Sequence, residues 1–138
     1  MKGKLSRVGT TYLPVKDVEE STTWYAEHLG AKVNYKDNDK AILQFVDQSF
    51  FLVKSPLGES ANFTDSYGNE CFSVTFEVNG VEALANLHQD FKGRDINVGK
   101  IEDRGHAGRN FVFYDPNGNK FDVWSELSPT FRALHHQK

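Results

Sequence analysis

Val15-Lys16-Asp17-Val18-Glu19-Glu20 reappears 63 residues later, in altered form, as Val78-Asn79-Gly80-Val81-Glu82-Ala83. Valine, valine and glutamate are retained at the first, fourth and fifth positions. Each copy follows a run that alternates like a strand and precedes one spaced like a helix. A repeat of this length is the mark of a duplicated supersecondary unit.

The surroundings of the first copy read as βαβββ. Residues 7–15 form a strand candidate, with Leu13 and Val15 on one face and Thr10 and Tyr12 on the other. Pro14 restricts it to a strand end or an edge. Asp17 with Glu20 is a capping pair, opening a helix that carries Trp24, Tyr25 and Leu29 and stops at Gly30. Strand candidates follow at Ala31 to Tyr35, Ala41 to Val46 and Ser49 to Lys54, separated by turns at Asp37-Asn38-Asp39 and Asp47-Gln48. Residues 57–70 are polar and rich in turn formers, so they read as a connection. The second unit opens with a strand from Cys71 to Val78. Asn79 and Glu82 are placed to cap a helix through Leu84, Leu87 and Phe91 to Gly93. Strands are expected at about 95–101, 109–114 and 119–125, the last two joined by the turn Asp115-Pro116-Asn117-Gly118. The expected organisation is one domain of two modules, 5–56 and 71–126, with a tail over 127–138 that includes a short helix.

Composition narrows the function classes. The 138 residues include 11 Phe, 5 Tyr and 2 Trp in a chain of mean hydropathy -0.56, with only five His and one Cys. Cys71 stands alone, which excludes an intrachain disulfide framework and a thiolate zinc cluster and suits a cytoplasmic setting. No segment reaches the length of a membrane span, and MKGKLSRVGTTYL is too polar for a secretion signal. With 16 basic against 19 acidic residues, the net charge of -3 offers no concentrated positive surface for nucleic acid.

Two stretches carry a resemblance. Leu-Pro-Val-Lys-Asp-Val-Glu-Glu-Ser-x-x-Trp-Tyr-x-x-x-Leu-Gly (13–30) and Phe-Tyr-Asp-Pro-Asn-Gly-Asn-Lys-Phe-Asp-Val-Trp (113–124) resemble the vicinal oxygen chelate superfamily, the glyoxalase, bleomycin-resistance and dioxygenase group. The resemblance implies an α+β fold: two tandem βαβββ modules forming a curved mixed sheet that encloses a cup, with helices on the outer face. It also implies metal-ligand places on the first and last strand of each module. These fall at Thr10, at Phe51 or Leu52, at Ser73 and at Asp122. A divalent transition metal needs convergent imidazole or carboxylate donors. One carboxylate and two neutral hydroxyls do not supply them, so no metal and no other cofactor is expected.

The histidines do not fill the gap. His28 and His88 fall on the helices and His135 and His136 in the tail. His106 lies in Asp103-Arg104-Gly105-His106-Ala107-Gly108-Arg109, a loop leading into the strand that flanks Asp122. It is a candidate acid, base or ligand contact, and equally a merely exposed residue.

Alternation separates two sheet faces. Leu13, Val15, Val74, Phe76, Val78, Phe111, Phe113, Phe121 and Val123 are expected to face the helices. The opposite face would carry Thr10, Tyr12, Ser73, Thr75, Glu77, Asn110, Val112, Asp122 and Trp124, a mixture of rings and hydrogen-bonding groups suited to a small-molecule site. The candidates are Asp122 and His106 for acid–base work, and Thr10, Tyr12, Phe51, Ser73, Asn110 and Trp124 for ligand binding. Asp122 would lose solvent beside Trp124, unless a cation such as Arg109 pairs with it. The leading expectation is a cytoplasmic, metal-independent binder of a small, aromatic or amphipathic molecule, sequestering a toxic compound or antibiotic as the bleomycin-resistance branch does, and acting as a homodimer. The rivals are a lyase, isomerase or transferase of the same fold, and a regulatory or orphan domain with a vestigial pocket.

Overall fold

The computed structural model describes residues 3–135, which fall into two compact units dividing between Ala61 and Asn62. In the first unit, β1 (Thr10–Val15) runs into α1 (Val18–Leu29), and β2 (Lys32–Lys36), β3 (Lys40–Phe45) and β4 (Gln48–Lys54) follow. Asp17 starts α1 as expected: its carboxylate accepts from the Glu20 N–H at 2.9 Å. Gly30 ends it at φ 71°, and the Ala31 N–H reaches back to the Tyr25 carbonyl at 3.2 Å. Val18, Ser21, Thr22 and Tyr25 form the buried stripe, spaced by three or four residues as one helix face requires.

The stripe packs on a mixed sheet of order β1-β4-β3-β2, with β1 parallel to β4 and the other pairs antiparallel. Leu13, Ala41, Leu43, Phe50 and Leu52 fill its inner face, and Phe45 stacks on Phe50 with ring centroids 4.4 Å apart. Phe45 pairs with Gln48, so the β3–β4 hairpin closes through two residues, Val46 at φ 48° and Asp47 at φ 60°. The turn is thus Val46-Asp47 rather than the expected Asp47-Gln48. A two-residue hairpin turn of type I′ needs positive φ at both central positions, and here a β-branched valine adopts it.

The second unit begins inside the expected connection with a short hairpin, β5 (Phe63–Thr64) against β6 (Glu70–Cys71). Asp65 shapes its loop by accepting from the backbone of Tyr67 and Asn69, each at 2.9 Å. The strand expected from Cys71 to Val78 is therefore split. Cys71 pairs with Phe63, and only β7 (Thr75–Glu77) belongs to the main sheet. The helix α2 (Val81–Gly93) starts from Gly80 at φ 109° with no side-chain cap. The expected Asn79 cap is one position off, because the repeat carries the capping position of Asp17 to Gly80, which has no acceptor to offer.

β8 (Asn110–Tyr114) and β9 (Lys120–Trp124) complete a sheet of order β7-β9-β8, with β7 parallel to β9. This repeats the pairing of first with last strand seen in the first unit. The strand expected over 95–101 is reduced to isolated bridges, Val98 with Phe113 and Glu102 with Asn110. Asp95 turns the chain at φ 60°, and Gly99 approaches so closely that a Cβ would lie 3.0 Å from Val112 Cγ2. Phe91 of α2 meets Phe111 and Phe113 edge-on, while Phe111, Phe113, Phe121 and Val123 are buried as expected. Val74, Phe76 and Val78 are only half-buried. The tail includes α3 (Pro129–Leu134), which buries no residue; His136 lies outside the described residues. No helix among the described residues is long and apolar enough to cross a membrane.

Candidate functional site

β9 places Asp122 between β7 and β8, with Thr75 and Val112 as its ladder neighbours. Its side chain leaves the sheet on the face away from Phe121 and Val123, as period-two alternation dictates. The residue is nevertheless only 2% exposed. One carboxylate oxygen, Oδ2, accepts from Thr75 Oγ1 at 3.1 Å and from Asn110 Nδ2 at 3.0 Å. The other, Oδ1, faces Arg104 Nη2 at 3.1 Å, an ion pair set off the line of a hydrogen bond. Arg104 in turn donates from Nε to Glu102 Oε1 at 2.8 Å and lies over the Phe72 ring, 5.8 Å from its centroid. Partial burial pulls against the charge of this guanidinium, but the Glu102 hydrogen bond and the Asp122 charge outweigh it and hold the pKa above its ordinary value.

The backbone explains why the loop reaches the carboxylate. Glu102 and Asn110 exchange both backbone hydrogen bonds, at 2.7 and 3.1 Å, pinning residues 102–104 beside β8. Asn110 is 3% exposed; its Nδ2 serves Asp122 while its buried Oδ1 has no hydrogen-bond partner among the described residues. The cation expected here, Arg109, is elsewhere. It lies 3.7 Å from Asp103 and donates to the Gly108 carbonyl at 3.1 Å. Arg104 supersedes it because the bridge at Glu102 brings position 104, not 109, across the sheet face.

Trp124 and His106 come together two residues further along β9. Trp124 Nε1 donates to the Ala107 carbonyl at 2.9 Å, and the His106 ring stands edge-on to the indole with centroids 5.9 Å apart. His106 Nδ1 lies 2.9 Å from that same carbonyl, which can only accept, so Nδ1 carries the hydrogen. Gly108 makes the arrangement possible. At φ 78°, a Cβ there would stand 2.5 Å from Ser125 Oγ and 3.1 Å from the Trp124 nitrogen. His106 is exposed whereas Asp122 is buried, and among the described residues no hydrogen bond or ion pair joins them.

In the first unit, Tyr12 and Phe51 are register partners with rings stacked at 5.0 Å and 13°, and Tyr12 is 63% exposed. Leu52 is 0% exposed, so Phe51, not Leu52, shares the face of Tyr12. Thr10 sits at the exposed start of β1 opposite Ser49. Ser73 is in the bend before β7, outside the β7–β9 ladder. The position that meets Asp122 is Thr75, which the repeat pairs with Tyr12. Thr75 was legible from alternation as a member of this face. Arg104 and Glu102 were not, because a loop holding two arginines and no periodicity gives no reason to choose one.

The donor set does not fit the divalent metal that the resemblance implies. Asp122 is the lone carboxylate among the four places, and a guanidinium already neutralises its Oδ1. Among the described residues no three His, Cys, Asp or Glu side chains are grouped to hold a metal ion.

Solved structures with this fold cover most of the chain. FosX, the genomically encoded fosfomycin resistance protein of Listeria monocytogenes, in complex with Mn(II) and sulfate, superposes with a TM-score of 0.70 at 16% identity, over 99% of this chain and 100% of its own. A lactoylglutathione lyase from Agrobacterium tumefaciens gives 0.68 at 16% identity, over 88% and 95%. SMU.1112c gives 0.66 at 22% identity, over 88% and 99%. No curated protein sequence matches significantly. These likenesses establish the mixed α+β fold with curved mixed sheets, while residues 7–123 match the family model itself: the chain belongs to the glyoxalase, bleomycin resistance protein and dioxygenase superfamily.

Proposed function

We propose that this protein binds a small organic molecule, aromatic or amphipathic, without a metal, and sequesters it. The observation that carries the reading is the cluster of Asp122, Asn110, Thr75 and Arg104 on the sheet face away from the core, with Trp124 beside it. A buried carboxylate paired with a partly exposed guanidinium is seldom a gain in stability over apolar packing. A fold that keeps one on its non-core face, already neutralised and hydrogen-bonded, has a fixed set of polar groups for orienting a ligand. Trp124 supplies the flat apolar wall, and the Tyr12–Phe51 stack is a second aromatic platform on the first unit. Asp122 serves here to position Thr75 and Arg104, the exposed members of the cluster, rather than as a base, since it is buried with Oδ2 hydrogen-bonded and Oδ1 paired with Arg104. His106, tied to the Ala107 carbonyl, lines the indole edge.

Association into a homodimer in the cytoplasm belongs to the same reading. The exposed Val33, Tyr35, Val46 and Val53 of the first unit support the dimer, and sedimentation as a monomer would count against it. Fluorescence titration with bleomycin, fosfomycin and a panel of aromatic metabolites, followed by recovery of the compound, tests the function. Binding predicts a saturable change in tryptophan emission with the compound recovered intact. Consumption of the compound would replace this reading with the enzymatic one, in which Asp122 and His106 take part in turnover.

A further inference from the structure

The carboxylate at the last-strand place carries a resident cation of its own. Arg104 is held there by three different contacts: the Asp122 ion pair at 3.1 Å, the Glu102 hydrogen bond at 2.8 Å, and the Phe72 face at 5.8 Å. Its position is set by the backbone bridge between Glu102 and Asn110 rather than by a flexible stem alone. The two carboxylates that grip the guanidinium are hard oxygen donors, and the unpartnered amide oxygen of Asn110 lies on the side chain that donates to Asp122. Oxygen donors of this kind are what magnesium, manganese and calcium ions select.

We infer that Arg104 takes the role of the metal in this protein: its guanidinium supplies the positive charge that Asp122 and Glu102 would otherwise draw from a divalent ion, and it keeps such ions out. The inference rests on reading the Asp122 cluster as the binding site, and it adds the reason why that site works without a metal. A guanidinium neutralises charge through directional N–H donors and cannot be displaced by a chelator, whereas a metal ion exchanges its ligands. The site is thereby committed to orienting a ligand by hydrogen bonds.

Manganese uptake by the full chain tests this. Wild type, Arg104→Met, Arg104→Met combined with Asp122→Asn, and Asp122→Asn alone are titrated with Mn(II), and the free ion is counted by electron paramagnetic resonance. Circular dichroism and tryptophan emission check that each variant is folded. If Arg104→Met fails to fold, Arg104→Gln, whose amide can still donate to Asp122, takes its place. The expected result is no stoichiometric uptake by wild type, about one Mn(II) taken up per chain by the Arg104 variant at concentrations where wild type takes up none, and loss of that uptake in the double variant. One Mn(II) per wild-type chain, abolished by Asp122→Asn, would overturn the inference. So would a folded Arg104 variant that ignores Mn(II) as wild type does. The readout involves no organic compound, so a failure to find a small-molecule ligand leaves it standing, and the reverse is also true.

Discussion

Tyr12 facing Phe51 and Thr75 facing Asp122 occupy the same place in two copies of one module, yet they share no chemistry. Each pair lies where the first strand runs parallel to the last, on the face away from the helix. One step along the same ladders, Leu13 meets Leu52 and Phe76 meets Val123, all apolar. The core side of the repeat is held to its type by packing, which penalises both cavities and buried polar groups. The other side is free to diverge, and in one module it became a pair of stacked rings, in the other a hydrogen-bonded carboxylate with its own cation. Duplication supplies the scaffold twice, and here it carries rings on one outer face and polar groups on the other.

The largest effect that can break this comparison is expected on its apolar side. Leu52→Ala should cost about 3–4 kcal/mol, the cost of a cavity under a fully enclosed leucine, measured by urea unfolding. A cost as small as that of its neighbour Phe51 would mean the register is wrong and the two faces have been exchanged.

Arg104→Met comes next. It leaves the Asp122 charge buried without its cation, for a loss of about 2–3 kcal/mol, the lower part of the range because the arginine side chain is 27% exposed. A neutral result would show that the polar pair is no more than a surface contact. Phe51→Ala should cost about 1 kcal/mol, the value of a ring stack on an open face, measured by urea unfolding.

The smallest effect concerns Asp37, at the β2–β3 turn of the first unit. The Tyr35 hydroxyl, then Lys40, then the Asp39 backbone N–H donate to its carboxylate and hold the pKa well below the usual carboxylate range. A depressed carboxylate stabilises the fold above its unfolded pKa and loses that stabilisation as pH falls through the folded pKa. Asp37→Asn should therefore lower the melting temperature slightly at neutral pH, and the gap to wild type should close in strong acid. The cluster is exposed, so solvent screening keeps the effect small. A gap that widens on acidification would contradict the sign.

What was legible in the sequence divides along the same line. The repeat, the Asp17 cap, the Gly30 stop and the alternation of Phe111, Phe113, Phe121 and Val123 follow from local propensity and period, and the elements stand there. Asp115 also behaves as its motif predicts. Its Oδ1 accepts from Asn117 and Asn119, at 2.8 and 2.9 Å, so this part of the resemblance is turn architecture. The site was less legible. Asp122, Asn110 and Thr75 could be put on one face by counting in twos, but not brought into contact. Arg104 enters through an irregular loop whose path depends on Gly99 and on the bridge at Glu102, features without a period. Ser73 stands 63 residues after Thr10 and yet misses the ladder, because the second unit's first strand starts later than that of the first.

The central claim is that the second unit holds a metal-free site for a small molecule, organised by Asp122. A thermal-shift screen of antibiotics, aromatic metabolites and divalent metals, run with and without chelator on wild type and Asp122→Asn, tests it most directly. At least one organic compound should raise the melting temperature of wild type equally in both conditions, and Asp122→Asn should lose the shift. A stabilisation produced only by a divalent metal and erased by the chelator would contradict it.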